Sequence, residues 1–307
     1  MGKRARKVRR PASSLTRNVR AGRRDAEAAA ARAGRRVEKA SENPWFERMA
    51  RFGYVVRGML YAVMGLAGMG FAFGLTTKTV DQRGALDLLQ GNPLKVAVAV
   101  AVIAGLAAYS LWGFVRAVYD PLHRGDEPQG LLSRAGFVWS GLSYAGLLAF
   151  TVQFLLGITR GDGSDSIEKP VRYLMAHPFG VYLTLLVGAV ATVAGLGQFV
   201  DAVIAGFRKD LRASEMSEGE ERAAEYLGRF GMFARGVIFT MLGVFIIEAA
   251  LHHDPTRAEG MGAAFRHLAT LPAGHLILFI VSTGFVALAL HSFANARWVK
   301  MGRSRRP

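Results

Sequence analysis

The chain has no cysteine, which removes disulfides, thiolate metal sites and cysteine nucleophiles together and leaves the redox compartment open. Acidic residues are scarce: 23 Asp and Glu stand against 39 Lys and Arg, a formal charge of +16. Catalytic signatures are lacking as well. No P-loop, G-x-S-x-G elbow, strand-borne G-x-G-x-x-G or H-E-x-x-H occurs, so nucleotide binding and zinc or serine hydrolysis are not indicated. The seven histidines form no i, i+4 pair, and His252, His253 and Asp254 run directly into Pro255, which marks a turn and not a metal site. No metal and no cofactor is expected, and no residue declares itself catalytic.

Charge is thin overall, 20% against 51% hydrophobic residues, and six apolar runs fall near residues 54–75, 95–118, 136–158, 180–207, 231–251 and 275–297. Each is long enough for a hydrocarbon core about 30 Å thick. The fold class expected is therefore all-α, a polytopic membrane protein with six transmembrane helices.

Those runs carry an internal repeat. Arg51, Phe52 and Gly53 lead to Arg57 and Gly58; Arg134, Ala135 and Gly136 lead to Ser140 and Gly141; Arg229, Phe230 and Gly231 lead to Arg235 and Gly236. The spacing is the same in all three copies. Two spans per copy return the chain to the side it started from, which makes the repeats parallel, in a pseudo-threefold arrangement. The outer connections repeat too: Ala85, Leu86, Leu88 and Leu89 precede Pro93, Val171, Tyr173 and Leu174 precede Pro178, and Ala264, Phe265 and Leu268 precede Pro272. Each reads as a short amphipathic half-helix whose proline starts the next membrane helix. The expected divisions are a basic arm at 1–44, repeat one at 45–119, repeat two at 120–207, repeat three at 208–300 and a basic tail at 301–307.

Basic residues fix an orientation. Of the 39 Lys and Arg, 16 precede residue 52, and together with those between spans two and three, between spans four and five, and at the end, 29 face one side against 8 on the other. By the positive-inside rule both termini are cytoplasmic. The arm opens with Lys3, Arg4, Arg6, Lys7, Arg9 and Arg10 and has no apolar core directly behind it, so it is no signal peptide. Arg6 breaks the myristoylation pattern. Residues 15–39 favour helix with too thin an apolar stripe to bury. Anionic lipid headgroups are the arm's expected partner, at about 1 kcal/mol per basic residue near the surface; nucleic acid is disfavoured because the arm lacks interleaved aromatics. Protein partners are not specified.

With the R-x-G-x-x-x-R-G start, the amphipathic loop closing on proline, and the tail Gly284, Phe293, Ala294 and Arg297, residues 48–300 resemble the bacterial membrane family catalogued as domain of unknown function 1206. The resemblance implies three tandem two-helix repeats in a bacterial cytoplasmic membrane and supplies no activity. Repeat two departs from the pattern. Ser140 stands where Arg57 and Arg235 stand, Val190 where Gly105 and Gly284 stand, and Asp201 where Arg116 and Asn295 stand.

Candidate functional residues are few. Arg57 and Arg235 place a guanidinium inside a span, which either anchors by snorkelling or holds a carboxylate or phosphate with its planar fork. Asp201 can pair with such an arginine or form an interfacial salt bridge, and His291 is a further polar group among apolar neighbours. Small residues form close-packing stripes: Gly58, Ala62 and Gly65, then Gly141 and Ala145, then Gly236 and Gly243, with Gly105 and Gly284 on the second helices. Three functions follow. The default is a structural or interaction role at the membrane; the alternative is a transporter or channel for a small anionic solute or lipid headgroup; a lipid-handling enzyme is the weakest, for want of a catalytic group.

Overall fold

The computed structural model describes residues 44–75, 95–119, 127–156 and 165–300. The arm, the first outer amphipathic segment before Pro93 and the basic tail lie outside them. The described chain is all-helical, with α1 at Pro44–Ala72, α2 at Lys95–Tyr119, α3 at Pro128–Leu155, α4 at Asp165–Met175, α5 at Gly180–Ile204, α6 at Glu218–Leu251, α7 at Met261–Thr270 and α8 at Gly274–Trp298. Six of these, α1, α2, α3, α5, α6 and α8, are long and apolar enough to cross a membrane.

The odd member of each repeat begins well before its apolar run. Helix α6 is the clearest case. Its start is fixed by a capping box, in which the Ser217 hydroxyl accepts from the Glu220 amide and the Glu220 carboxylate accepts from the Ser217 amide at 2.9 Å. Three turns of polar helix, rich in glutamate, then precede the apolar stretch. Consequently Arg51, Arg134 and Arg229 are helical residues, and their side chains all do one thing. Arg51 donates to the carbonyls of Ala296 and Arg297 at 2.7 and 2.5 Å. Arg134 donates to Ala117 and Val118 at 2.8 and 3.3 Å, and Arg229 to Ala202 and Val203 at 3.1 and 2.5 Å. Each arginine thus caps the orphan carbonyls at the C-terminus of the second helix of the preceding repeat. Repeat one closes the circle by capping repeat three.

Packing follows the same circular rule. The most extensive helix pairs are α5 with α6, α8 with α1, and α2 with α3, every one of them across a repeat boundary. At each boundary the glycine of the R-G or S-G pair seats a phenylalanine: Gly58 lies against Phe293, Gly141 against Phe114 and Gly236 against Phe199. Those rings occupy one repeat position. Gly65 meets the backbone of Ser282 and Gly243 that of Thr192 about two turns further on, where a Cβ has no room.

Pairing within a repeat is different. Helices α1 and α2 pack, with Gly105 against Val56 and Gly53 against the backbone of Tyr109; α6 and α8 pack, with Gly284 against Ala234 and Gly231 against Leu288. In repeat two, α3 and α5 are not among the helix pairs in substantial contact. Val190 occupies the glycine position and is 41% exposed, while a Cβ at Gly136 would meet nothing within 4 Å. The pseudo-threefold ring of six helices is therefore open at one intra-repeat seam. The membrane windows of α3 and α5 are only 24% and 22% buried, against 44% and 50% for α1 and α2.

The two described half-helices lie at the end opposite the arginine caps. Val171 of α4 packs on Ile246 and Ala249, and Phe265 of α7 is fully buried near Phe285. Contrary to the expectation from their spacing, Pro178 and Pro272 do not start the next helix. Each is followed by a left-handed residue, Phe179 or Ala273 at φ 62 and 57, and the helix starts at Gly180 or Gly274. A Cβ at either glycine would collide with the backbone of the half-helix behind it, at Leu174 or Ala269. The sharp reversal, and not the proline's helix-starting geometry, sets this junction.

Two predictions follow from this architecture. Arg51→Gln and Arg229→Gln each leave two helix-end carbonyls without their charged donor and are expected to lower stability by about 1–3 kcal/mol; unchanged denaturation midpoints in detergent would show that the caps are ornamental. Gly231→Leu, which must displace Leu288, is expected to cost about 1–3 kcal/mol by overpacking, whereas Gly136→Leu at the same repeat position is tolerated. Equal thermal shifts for the pair would contradict the open seam.

Candidate functional site

One face of α2 carries Gly105, Tyr109, Trp112 and Arg116 at successive helical turns, and this face meets Tyr54, Arg57 and Tyr61 of α1. Arg57 is only 8% exposed. Its Nε donates to Ser292 Oγ of α8 at 3.1 Å and its Nη1 to the Tyr109 hydroxyl. Three rings surround the guanidinium, with centroids 5.3 Å (Tyr54), 5.5 Å (Tyr61) and 4.8 Å (Tyr109) from its carbon. Arg57 therefore points inward and not toward the headgroups. Such faces attract a cation through the ring quadrupole, by up to about 2 kcal/mol once water is excluded.

Hydroxyls and rings knit this shell together. Tyr61 and Tyr144, at the same position of repeats one and two, share a hydrogen bond at 3.0 Å. Trp112 Nε1 donates to the Tyr54 hydroxyl at 3.2 Å. Tyr109 makes edge contacts with Tyr54 and Tyr144 at 5.2 and 4.5 Å.

A second guanidinium enters from α2. Arg116 is 7% exposed, with its carbon 5.8 Å from Tyr109, 5.6 Å from Trp112 and 4.4 Å from Phe137 of α3. Arg235, half-buried on α6, lies 4.6 Å from Phe239 and within electrostatic reach of the Tyr109 and Tyr144 hydroxyls. Nε of Arg116 and Nε of Arg235 are buried without a hydrogen-bond acceptor among the described residues. Among those residues none of the three guanidinium groups forms an ion pair, although Arg116 also bonds the Tyr109 hydroxyl and lies within electrostatic reach of the Asp210 carboxylate; the described pairs lie at the capped end, as Glu47 with Arg51, Glu225 with Arg229 and Glu221 with Arg208 do, or at the opposite end, as Glu168 with Arg172 and Asp254 with Arg257 do.

The remaining sequence candidates go elsewhere. Asp201 sits on α5 at the repeat position of Arg116 but is exposed, because α3 does not cover that face; neither Arg57 nor Arg235 pairs with it. His291 is 2% exposed, yet its Nδ1 meets the Ala224 carbonyl at 3.1 Å and its ring the Phe207 ring at 4.8 Å, so it serves the α6–α8 seam. Gly58, Gly65, Gly105, Gly141, Gly236, Gly243 and Gly284 are the helix seats described above; Ala62 packs half-buried on the Phe285 cluster and Ala145 is half-buried on α3.

Sequence reasoning missed Arg116, counted only as a basic residue at a span's end. The i, i+4, i+7, i+11 stripe from Gly105 through Arg116 was the signal that could have found it. At the opposite end, His177 and His253 line a cavity of about 370 Å³ with Phe179 and Tyr182. No group of three His, Asp or Glu among the described residues could hold a metal ion. Asp254 is occupied as a turn cap, accepting from the Thr256 amide and hydroxyl at 3.0 and 2.6 Å, which holds its carboxyl below the usual range.

The arrangement can hold an anion. Planar forks with free N–H donors, set among rings that exclude water, match the oxygens of a phosphate or carboxylate. No solved structure matches the chain. It is 31% identical over 263 residues to the uncharacterized protein YxxB of Bacillus subtilis (strain 168), covering 86% of this chain and 94% of that one. The profile of the Domain of Unknown Function (DUF1206) matches it three times, at residues 52–120, 135–205 and 230–299. These three matches fall on the three helix pairs, and the chain belongs to that family of multi-pass membrane proteins.

Proposed function

We propose that this protein binds an anionic oxygen group, phosphate or carboxylate, among Arg57, Arg116 and Arg235, in the manner of a carrier for a small anionic solute or a lipid headgroup. One observation carries the reading: three positive charges gather inside the helical ring with no ion pair among the described residues. Arg57 lies six residues, about 9 Å, along α1 from the capping Arg51, too far in for every charge to reach water freely. A cation near a helix centre costs about 2.5–3.5 kcal/mol, and the rings offset only part of this. An anion supplies the remainder. A purely structural role explains less, because the glycine seats and carbonyl caps hold the helices without using Arg116 or Arg235.

The same reading keeps the basic, arginine-capped end in the cytoplasm of a bacterial cell with both termini, the arm resting on anionic headgroups of that leaflet.

Trp112, beside Arg116, is the built-in reporter. With the other three tryptophans replaced by phenylalanine, inorganic phosphate is expected to change Trp112 emission in neutral detergent. Arg116→Gln and Arg235→Gln should weaken that response about tenfold each, the loss of one charge-assisted hydrogen bond. A response that is absent, or indifferent to both replacements, removes the anion site. For orientation, the absence of cysteine is useful: in intact cells a membrane-impermeant maleimide is expected to label Arg257→Cys and to spare Ser214→Cys. The reverse pattern inverts the protein.

A further inference from the structure

Repeat two is the copy whose inner wall is cut down. Ser140 replaces Arg57 and Arg235, Ala194 replaces Tyr109 and Leu288, and Gly197 replaces Trp112 and His291. A Cβ at Gly136 or at Gly197 would meet nothing within 4 Å. The missing volume lies along the seam where α3 and α5 fail to pair. On the inner side of that seam lies Arg116, which bonds the Tyr109 hydroxyl but leaves one buried donor unsatisfied. Arg116 is more than nine-tenths buried, its Nε has no acceptor among the described residues, and its guanidinium lies over Phe137, the residue next to Gly136.

We infer that this seam forms a slot that admits a phospholipid sideways from the bilayer, its phosphodiester held by Arg116 and Arg235 and its acyl chains lying along α5. The inference rests on the anion-binding reading and adds the class of ligand and its route. Charge and polarity are both matched. Leu186, Val190 and Val193, exposed by 59%, 41% and 62%, share a helical stripe with Gly197 and offer an apolar wall for acyl chains. A free inorganic anion has no use for that wall. Asp201 stands on the same stripe, one turn nearer the capped end and exposed, so a phosphodiester with one negative charge suits the rim better than a monoester with two.

The test uses full-length protein and native mass spectrometry. Dioleoyl phosphatidylglycerol is expected to stay bound, one per chain, in preference to dioleoyl phosphatidylcholine. Gly136→Cys carrying a bulky maleimide should reduce that retention about tenfold, as a blocked entry exposes the lipid to the full loss of its charged contacts. The same label on Leu66→Cys, 62% exposed on α1 away from the seam, should leave retention unchanged. In every case the Trp112 response to inorganic phosphate should persist. Retention unaffected by the Gly136 label, or no preference for phosphatidylglycerol, with the phosphate response intact, overturns the lateral lipid and leaves the anion site standing. A lipid-free dimer in the same spectra means that a second copy covers the slot, and likewise overturns it. Loss of the phosphate response in unlabelled protein overturns the anion site and this inference with it.

Discussion

Everything in this fold turns on an arginine from one repeat reaching the bare carbonyls that end the previous one. In a bilayer the last turn of a helix has no water to satisfy it unless it reaches the interface, and a neutral cap supplies less than a charged fork does. Arg51, Arg134 and Arg229 solve this three times with the same side chain at the same position. Because the cap acts between repeats, it also sets their order around the ring. Arg51 reaches 245 residues along the chain to Ala296, so the first helix cannot find its place until the last has been made. The short antiparallel bridge between Leu211 and Val299, with Lys300 donating to the Asp210 carbonyl at 2.7 Å, fixes the chain end to the same face.

Caps alone give three fastened pairs; closing them into a ring needs the intra-repeat seams. There a single residue decides. Glycine at 105 and 284 lets two backbones approach, and valine at 190 does not. This is close packing of small residues in a setting where lipid is as apolar as any side chain and hydrophobicity gives no reason for helices to prefer each other. The break falls in the same repeat that lacks the arginine, so the loss of the seam and the loss of one charge go together. Three guanidinium groups of the described core come from repeats one and three, and repeat two contributes tyrosine, phenylalanine and space.

Much of this was legible in the sequence and some could not be. The six spans, the threefold repeat and the glycine stripes follow from length, period and spacing, which act locally along the chain. The departures at Ser140, Val190 and Asp201 were legible as irregularities. What they do was not, since an open seam is the absence of a contact between two helices, one ending at Leu155 and the other beginning at Gly180. The arginines tell the same lesson. Arg51, Arg134 and Arg229 define the repeat, but their partners lie on a neighbour that no local pattern names. Arg116 looks from its flanks like an interfacial anchor and turns out to be buried, because Tyr54 of α1 and Phe137 of α3 cover it beside Tyr109 of its own helix. Helices of the half-helix junctions were foreseen, while their left-handed residues Phe179 and Ala273 carry no side-chain signature of that conformation.

The aromatic shell gives the cluster its character. Tyrosine hydroxyls can donate or accept, so Tyr109 can accept the hydrogen bond from Arg57. Replacing such a ring with a carboxylate would neutralise the arginine permanently and leave nothing for a ligand to do. Rings instead stabilise the cation while preserving its charge, which is the condition a site must meet if an anion is to bind there and leave again. A salt bridge, by contrast, holds its partner in place: at the capped end Glu225 engages both Arg208 and Arg229, at 3.1 and 2.8 Å, and those arginines serve structure. Two populations of arginine therefore share these helices, one paired with carboxylates and carbonyls where the helices end, the other set among rings where they cross the membrane.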